Sequence, residues 1–81
     1  MKPYIRKKSD FIGGNPIVDY NQAGIVTVKD GEKYKIAVEM DQDTVVWLEQ
    51  IEDRRAVDDL VRGLVARVPE IREQFAGCRP D

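Results

Sequence analysis

Apolar and polar positions alternate with a period of two through the middle of the chain and with a helical period toward its end. Ile17-Val18-Asp19-Tyr20 reads as a short strand, Asn21-Gln22-Ala23-Gly24 as a turn, and Ile25-Val26-Thr27-Val28-Lys29 as a second strand rich in β-branched residues. A third strand alternates over Lys33 to Met40. It sets Tyr34, Ile36, Val38 and Met40 on one face and Lys33, Lys35, Ala37 and Glu39 on the other. Strands are thus predicted at about 17–20, 25–29 and 33–40. The first fifteen residues show no such order and end in Gly13-Gly14-Asn15-Pro16, a turn signal.

Asp30-Gly31 closes the hairpin between the second and third strands. A two-residue Asp-Gly turn would set Val26 against Lys35 and Val28 against Lys33. A three-residue loop, Lys29-Asp30-Gly31 with glycine in a left-handed bulge position, sets Val26 against Tyr34 and gathers the apolar residues on one face. The bulged loop is therefore expected, with Lys33 and Lys35 toward solvent.

Helices are expected beyond residue 42. Asp41 or Asp43 can cap a helix over about 43–52 carrying Val45, Leu48 and Ile51, with Val46 and Trp47 beside that stripe. Val57, Leu60, Val61, Leu64, Val65 and Val68 then recur at intervals of three and four, predicting a helix over about 55–68. Pro69 interrupts it, and Ile71 and Phe75 suit a last short helix over about 70–76 before Gly77. The fold class is α+β: a small antiparallel three-stranded meander packed against two or three C-terminal helices.

Length and composition narrow this further. The 81 residues suit a single domain, 1–81, with flexibility expected at residues 1–12 and 78–81. At 42% hydrophobic and 35% charged, the chain has the composition of a folded protein. No run reaches the roughly 18 apolar residues that cross a bilayer, and no apolar stretch follows the basic N-terminus, so a cytoplasmic location is expected. Charge is uneven: residues 1–35 carry seven Lys/Arg against four Asp/Glu, and residues 36–81 six against eleven. Mutual attraction of the two halves accounts for this simply, while a nucleic-acid arm or an acidic protein-binding face are the functional alternatives.

Little in the sequence points to catalysis. Histidine, the commonest general base and transition-metal ligand, is absent. Ser9, the one serine, lacks a nucleophile-elbow pattern. Cys78, the one cysteine, can form no disulfide within the chain and has no neighbouring His or Lys to activate its thiol. Asp41-x-Asp43 resembles the start of a calcium loop but lacks that loop's glycine and closing glutamate. Glu52-Asp53 and Asp58-Asp59 fall near a helix N-terminus, where the dipole favours carboxylates. No catalytic, cofactor-binding or metal residues are assigned, and no cofactor is expected.

The reading that follows is a non-enzymatic inhibitor or adaptor that occupies a surface of a larger protein. Such compact chains are common among phage and mobile-element products that act on a host protein. Trp47, Val46, Gln50, Arg54 and Arg55 are the candidate partner-binding residues, with Trp47 either a core residue or an interface anchor. A homodimer through the same helices is a second use of the surplus apolar surface. The alternative is a nucleic-acid-binding regulator, with Lys2, Arg6, Lys7 and Lys8 interleaved with Tyr4 and Phe11, and Lys33 and Lys35 extending the tract.

A hairpin over Gly31 to Val38, a helix with Val46-Trp47-Leu48, then Arg55-Ala56-Val57-x-x-Leu60-Val61-x-x-Leu64 and Pro69-Glu70-Ile71 to Phe75 resemble the PqqD-like family over about half the chain. These are small winged-helix domains that bind leader peptides. The resemblance implies peptide capture along the sheet edge and helix groove. Glu52-Asp53-Arg54 stands where that family has an Asp-Gly turn.

Overall fold

A computed structural model of the chain, which describes residues 2–80, gives an α+β fold with a five-stranded antiparallel sheet and three helices. The elements are β1 (Tyr4–Lys7), α1 (Lys8–Ile12), β2 (Ile17–Tyr20), β3 (Ile25–Asp30), β4 (Lys33–Glu39), β5 (Thr44–Ile51), α2 (Arg54–Val65) and α3 (Val68–Gln74). The sheet order is β1-β5-β4-β3-β2: a meander of four consecutive strands, with β1 added outside the last of them. Met1 and Asp81, within the ends expected to be flexible, lie outside the described residues.

The expected helix over 43–52 is instead strand β5. Its cause lies in Asp41, whose carboxylate accepts from Asp43 N at 2.8 Å, Thr44 N at 2.9 Å and the Thr44 hydroxyl at 2.8 Å. An aspartate that bonds the next amides serves a hairpin turn as readily as a helix N-cap. What decides for a strand is the β-branched pair Val45-Val46 and burial on both sides: Val45 through Leu48 are all buried, and only a strand can bury consecutive residues against opposite layers.

The layers are two. On one face Ile25, Ile36, Val38, Val46 and Leu48 meet Val57, Val61 and Leu64 of α2 and Val68 and Ile71 of α3. On the other, Val26, Val28, Ala37, Val45 and Trp47 pack beneath Phe11, the buried residue of α1. The first fifteen residues, expected to be irregular, thus hold an edge strand and a one-turn helix that roofs the second face. That face also reverses the expected hairpin register. Val28 lies opposite Lys35 and Val26 opposite Ala37. The turn is the two residues Gly31-Glu32, with Gly31 at φ 63°, a left-handed conformation that glycine adopts without strain. Pairing Val28 with Lys35 is tolerable because Lys35 is buried too, not solvated as expected. Its ammonium donates to Phe11 O at 2.5 Å, lies 3.6 Å from Asp30, and sits 5.3 and 5.4 Å from the Phe11 and Trp47 rings.

The apolar rhythm at the C-terminal end forms a long and a short helix, as expected, but the break falls earlier than Pro69 and places Val68 in the second helix rather than the first. Asp53 caps α2 by accepting from Arg55 N at 2.9 Å. The break falls at Ala66-Arg67, because Pro69 has no N–H for the α2 ladder and its ring suits the first turn of a new helix. Arg72 of α3 fastens the helical layer to the end of the sheet, donating to Glu39 O at 3.0 Å and Ala23 O at 3.1 Å. Gly24, at φ 90°, leaves no room for a Cβ under that guanidinium.

Candidate functional site

The sequence-predicted partner residues are split between core and surface. Val46 is fully buried between α2 and the sheet. Trp47 is 9% exposed and lies on β5, not on a helix. Its ring is held between Phe11 (5.5 Å, edge-on) and Tyr4 (5.6 Å, tilted), with the Arg6 guanidinium 5.5 Å from it, and its indole N–H donates to Glu49 O at 3.0 Å. Gln50, near the end of β5, and Arg54 and Arg55, at the start of α2, are exposed. Arg54 reaches Asp58 at 3.5 Å and lies over Tyr34.

The basic set is likewise divided. Lys35 is buried, and Lys8 is committed to Glu39 at 2.5 Å. Lys2, Lys7 and Lys33 are exposed, and Arg6 is half-buried against Tyr4 and Trp47. Arg6 and Lys7 belong to β1 and Lys2 precedes it, whereas Lys33 opens β4 beyond β5. Cys78 is exposed and free. Among the described residues no three His, Cys, Asp or Glu side chains converge where they could hold a metal ion.

Glu39 gathers polar groups from three other elements, α1, β2 and α3. It accepts from Lys8 and from the Tyr20 hydroxyl, and Arg72 lies close by. Its partial burial alone would raise its pKa, but the hydrogen bonds from Lys8 and Tyr20 and the charges of Lys8 and Arg72 outweigh that and hold its carboxyl below the usual carboxylate range. Accepting from Tyr20 stabilises the neutral phenol, so Tyr20 ionises above its ordinary value. Asp41 is also lowered, chiefly by the Asp43 N–H and the Thr44 hydroxyl.

For a carboxyl depressed in the folded state, stability is fully present above the unfolded pKa, about 4.3 for Glu, and is lost as pH falls through the folded value. Acid titration of wild type is therefore expected to show stability falling from about pH 5 downward, with a shallower fall in Glu39→Gln. Urea midpoints measured across that range check this. Parallel curves for the two proteins would remove Glu39 from the acid response.

The sheet's two edges differ in what they offer. Edge β2 carries three exposed apolar side chains: Ile17 (50% exposed), Val18 (39%) and Tyr20 (60%). Lys29 N donates to Pro16 O at 3.0 Å and Asn21 N to Ile25 O at 3.2 Å, so Ile17 and Tyr20 occupy the intervening positions, where backbone groups turn away from β3. A bulge at Val18-Asp19 sets those two residues three apart, out of step with the two-residue period of an incoming strand. Side chains, rather than backbone, are what β2 presents. The sequence marked this strand but not its edge position: Ile17-Val18-Asp19-Tyr20 is apolar at both parities, a pattern that fits a covered strand and an exposed docking strand equally well.

Edge β1 is short, straight and basic. Its register with β5 is continuous from Tyr4 opposite Trp47 to Lys7 opposite Thr44. Along its outer side runs a groove of about 240 Å³ lined by Tyr4, Ile5, Arg6, Lys7, Asp10 and Pro80.

No protein-family model matches the chain, and comparison with curated proteins and with solved structures finds no match. The residues that carried the PqqD-like resemblance as a helix, Val46-Trp47-Leu48, lie in β5 and on the sheet.

Proposed function

We propose that the protein is a non-enzymatic protein-binding domain, an inhibitor or adaptor that docks a larger protein through edge strand β2. The supporting observation is the clustering of Ile17, Val18 and Tyr20, exposed together on one four-residue edge strand. Large apolar groups side by side at an edge are unfavourable in water unless a partner covers them, and soluble proteins ordinarily blunt such edges with charge. The bulge prevents indiscriminate strand pairing while leaving the side chains available, which suits a partner with a complementary apolar pocket. Tyr20 adds a polar tip of the kind common at interfaces, already oriented by Glu39.

Immobilised wild type, challenged with extract of its native host, is expected to retain one partner in stoichiometric amount. Ile17→Lys/Tyr20→Lys is expected to lose it, while Lys33→Glu keeps it. Retention of the same partner by the β2 double variant, or recovery of nucleic acid in place of protein, would overturn the proposal.

A further inference from the structure

The geometry points to a second docking edge at β1, built to receive an extended acidic peptide segment as a sixth strand. It is separate from β2 and stands whether or not β2 binds a partner.

The backbone argument comes first. Lys8 N donates to Asp43 O at 2.7 Å, and the β1–β5 register continues from there with Lys7 opposite Thr44, Arg6 opposite Val45 and Ile5 opposite Val46. In an antiparallel ladder, inward and outward residues alternate, so Arg6 bonds to β5 while Ile5 and Lys7 turn outward. The N–H and C=O of Ile5 and the N–H of Lys7 therefore lie along the free edge at the two-residue spacing of another strand. β1 is the terminal strand of the sheet, and unlike β2 it carries no bulge.

Charge selects the occupant. Lys2, Arg6, Lys7 and Lys8 fall within one stretch that has no acid between residues 2 and 9. Lys8 is neutralised by Glu39. Among the described residues, Lys2, Arg6 and Lys7 have no carboxylate within ion-pair distance, and Asp10 is the single acid lining the groove. A second copy of β1 would bring cation against cation, which bars self-pairing. Arg6 and Lys7 lie on opposite faces of β1, so a strand bearing Asp or Glu at alternate positions meets one of them across the pair while the other steers its approach. Half-exposed Tyr4, resting on Trp47, gives such a strand an apolar contact on the same face as Arg6. Nucleic acid would satisfy the cations but not the alternating donors and acceptors of the edge, and this favours a peptide.

Lys7 provides a clean substitution. Its φ of −64° and ψ of 136° are those of proline, and Arg6 before it is extended, so Lys7→Pro removes the outward N–H and the charge without straining the backbone. Lys7→Gln removes the charge alone. The probe is a short labelled peptide alternating glutamate with valine, compared with a lysine–valine peptide and with oligothymidine.

Titration of the acidic peptide is expected to shift the Ile5 and Lys7 amide resonances first. Its affinity should fall about fivefold or more between about 50 and 200 mM salt, about tenfold in Lys7→Pro, and less in Lys7→Gln. The Lys7→Pro spectrum should otherwise match wild type. Equal binding of the lysine–valine peptide, unmoved Ile5 and Lys7 amides, wild-type affinity in Lys7→Pro, or stronger displacement of the same amides by oligothymidine would each overturn the inference.

Discussion

Phe11→Ala is expected to cost about 3–5 kcal/mol, a large part of the 5–15 kcal/mol that holds a typical small domain folded. Phe11 is fully buried, and it is the buried residue of α1. Its ring stands edge-on to Trp47 and covers the face made by Val26, Val28, Ala37 and Val45. Cutting it to alanine leaves a void over that face and also exposes the Lys35 ammonium, which lies 5.3 Å from the ring and bonds the Phe11 carbonyl. Ile12, the other apolar residue of the one-turn helix, is only partly buried at the margin of this cluster and does not replace the ring. Urea unfolding followed by Trp47 fluorescence measures both consequences: a lower midpoint and, below it, emission shifted to longer wavelength. A loss under about 1 kcal/mol would show that α1 is not a structural lid. The stake for function is that β1 and β2 lie on either side of α1 in the sequence. Loosening the lid should therefore disturb both proposed edges.

The same element marks the limit of what sequence alone revealed. The meander β2-β3-β4 was legible because its strands alternate between short turn signals. α2 was legible because its apolar residues recur at helical spacing behind carboxylates suited to a helix N-terminus. β5 was not. Val45-Val46-Trp47-Leu48 is continuously apolar, so it carries no period, and the Asp41 turn uses the chemistry of a helix cap. Its true assignment depends on a fact no local window contains: the sheet is covered on both faces. That second covering layer was hidden in turn, because α1 offers one apolar anchor in a single turn of helix amid basic residues. The hairpin register followed the same error. Pairing Val28 with Lys35 looks wrong only if Lys35 must be solvated, whereas the Phe11 carbonyl bonds its buried ammonium and exposed Asp30 lies within ion-pair distance. At the site level, the basic N-terminal cluster was visible as charge but not as a strand edge. The β2 residues were visible as a strand but not as an exposed one. Edge position depends on which strand ends up outermost, and only the pairing of β1 with β5 settles that.

Val57→Asp is expected to unfold the protein, and Val65→Gln to leave its stability within about 0.5 kcal/mol of wild type, although both residues belong to the same apolar rhythm. Val57 is fully buried in the cluster formed by Ile25, Ile36, Val38, Val46 and Leu48, with no donor within that cluster to receive a carboxylate. An ionised side chain there would be unpaired, and its neutral form would still leave polar atoms unsatisfied in an apolar layer. Either penalty adds to the lost packing of the valine, for a total above about 4 kcal/mol. Val65 is 44% exposed because α2 ends there, and the reversal at Ala66-Arg67 carries the next apolar residue, Val68, into α3. The rhythm thus crosses a break between two helices: Val57, Val61 and Leu64 of α2 and Val68 of α3 reach the same buried layer, while Val65 at the break is left outside it. Circular dichroism and urea midpoints on the two variants separate these cases. A folded Val57→Asp would show that Val57 is not sealed in the apolar layer, and a Val65→Gln as damaged as its counterpart would mean that the first helix runs on through Val68, as periodicity alone predicts.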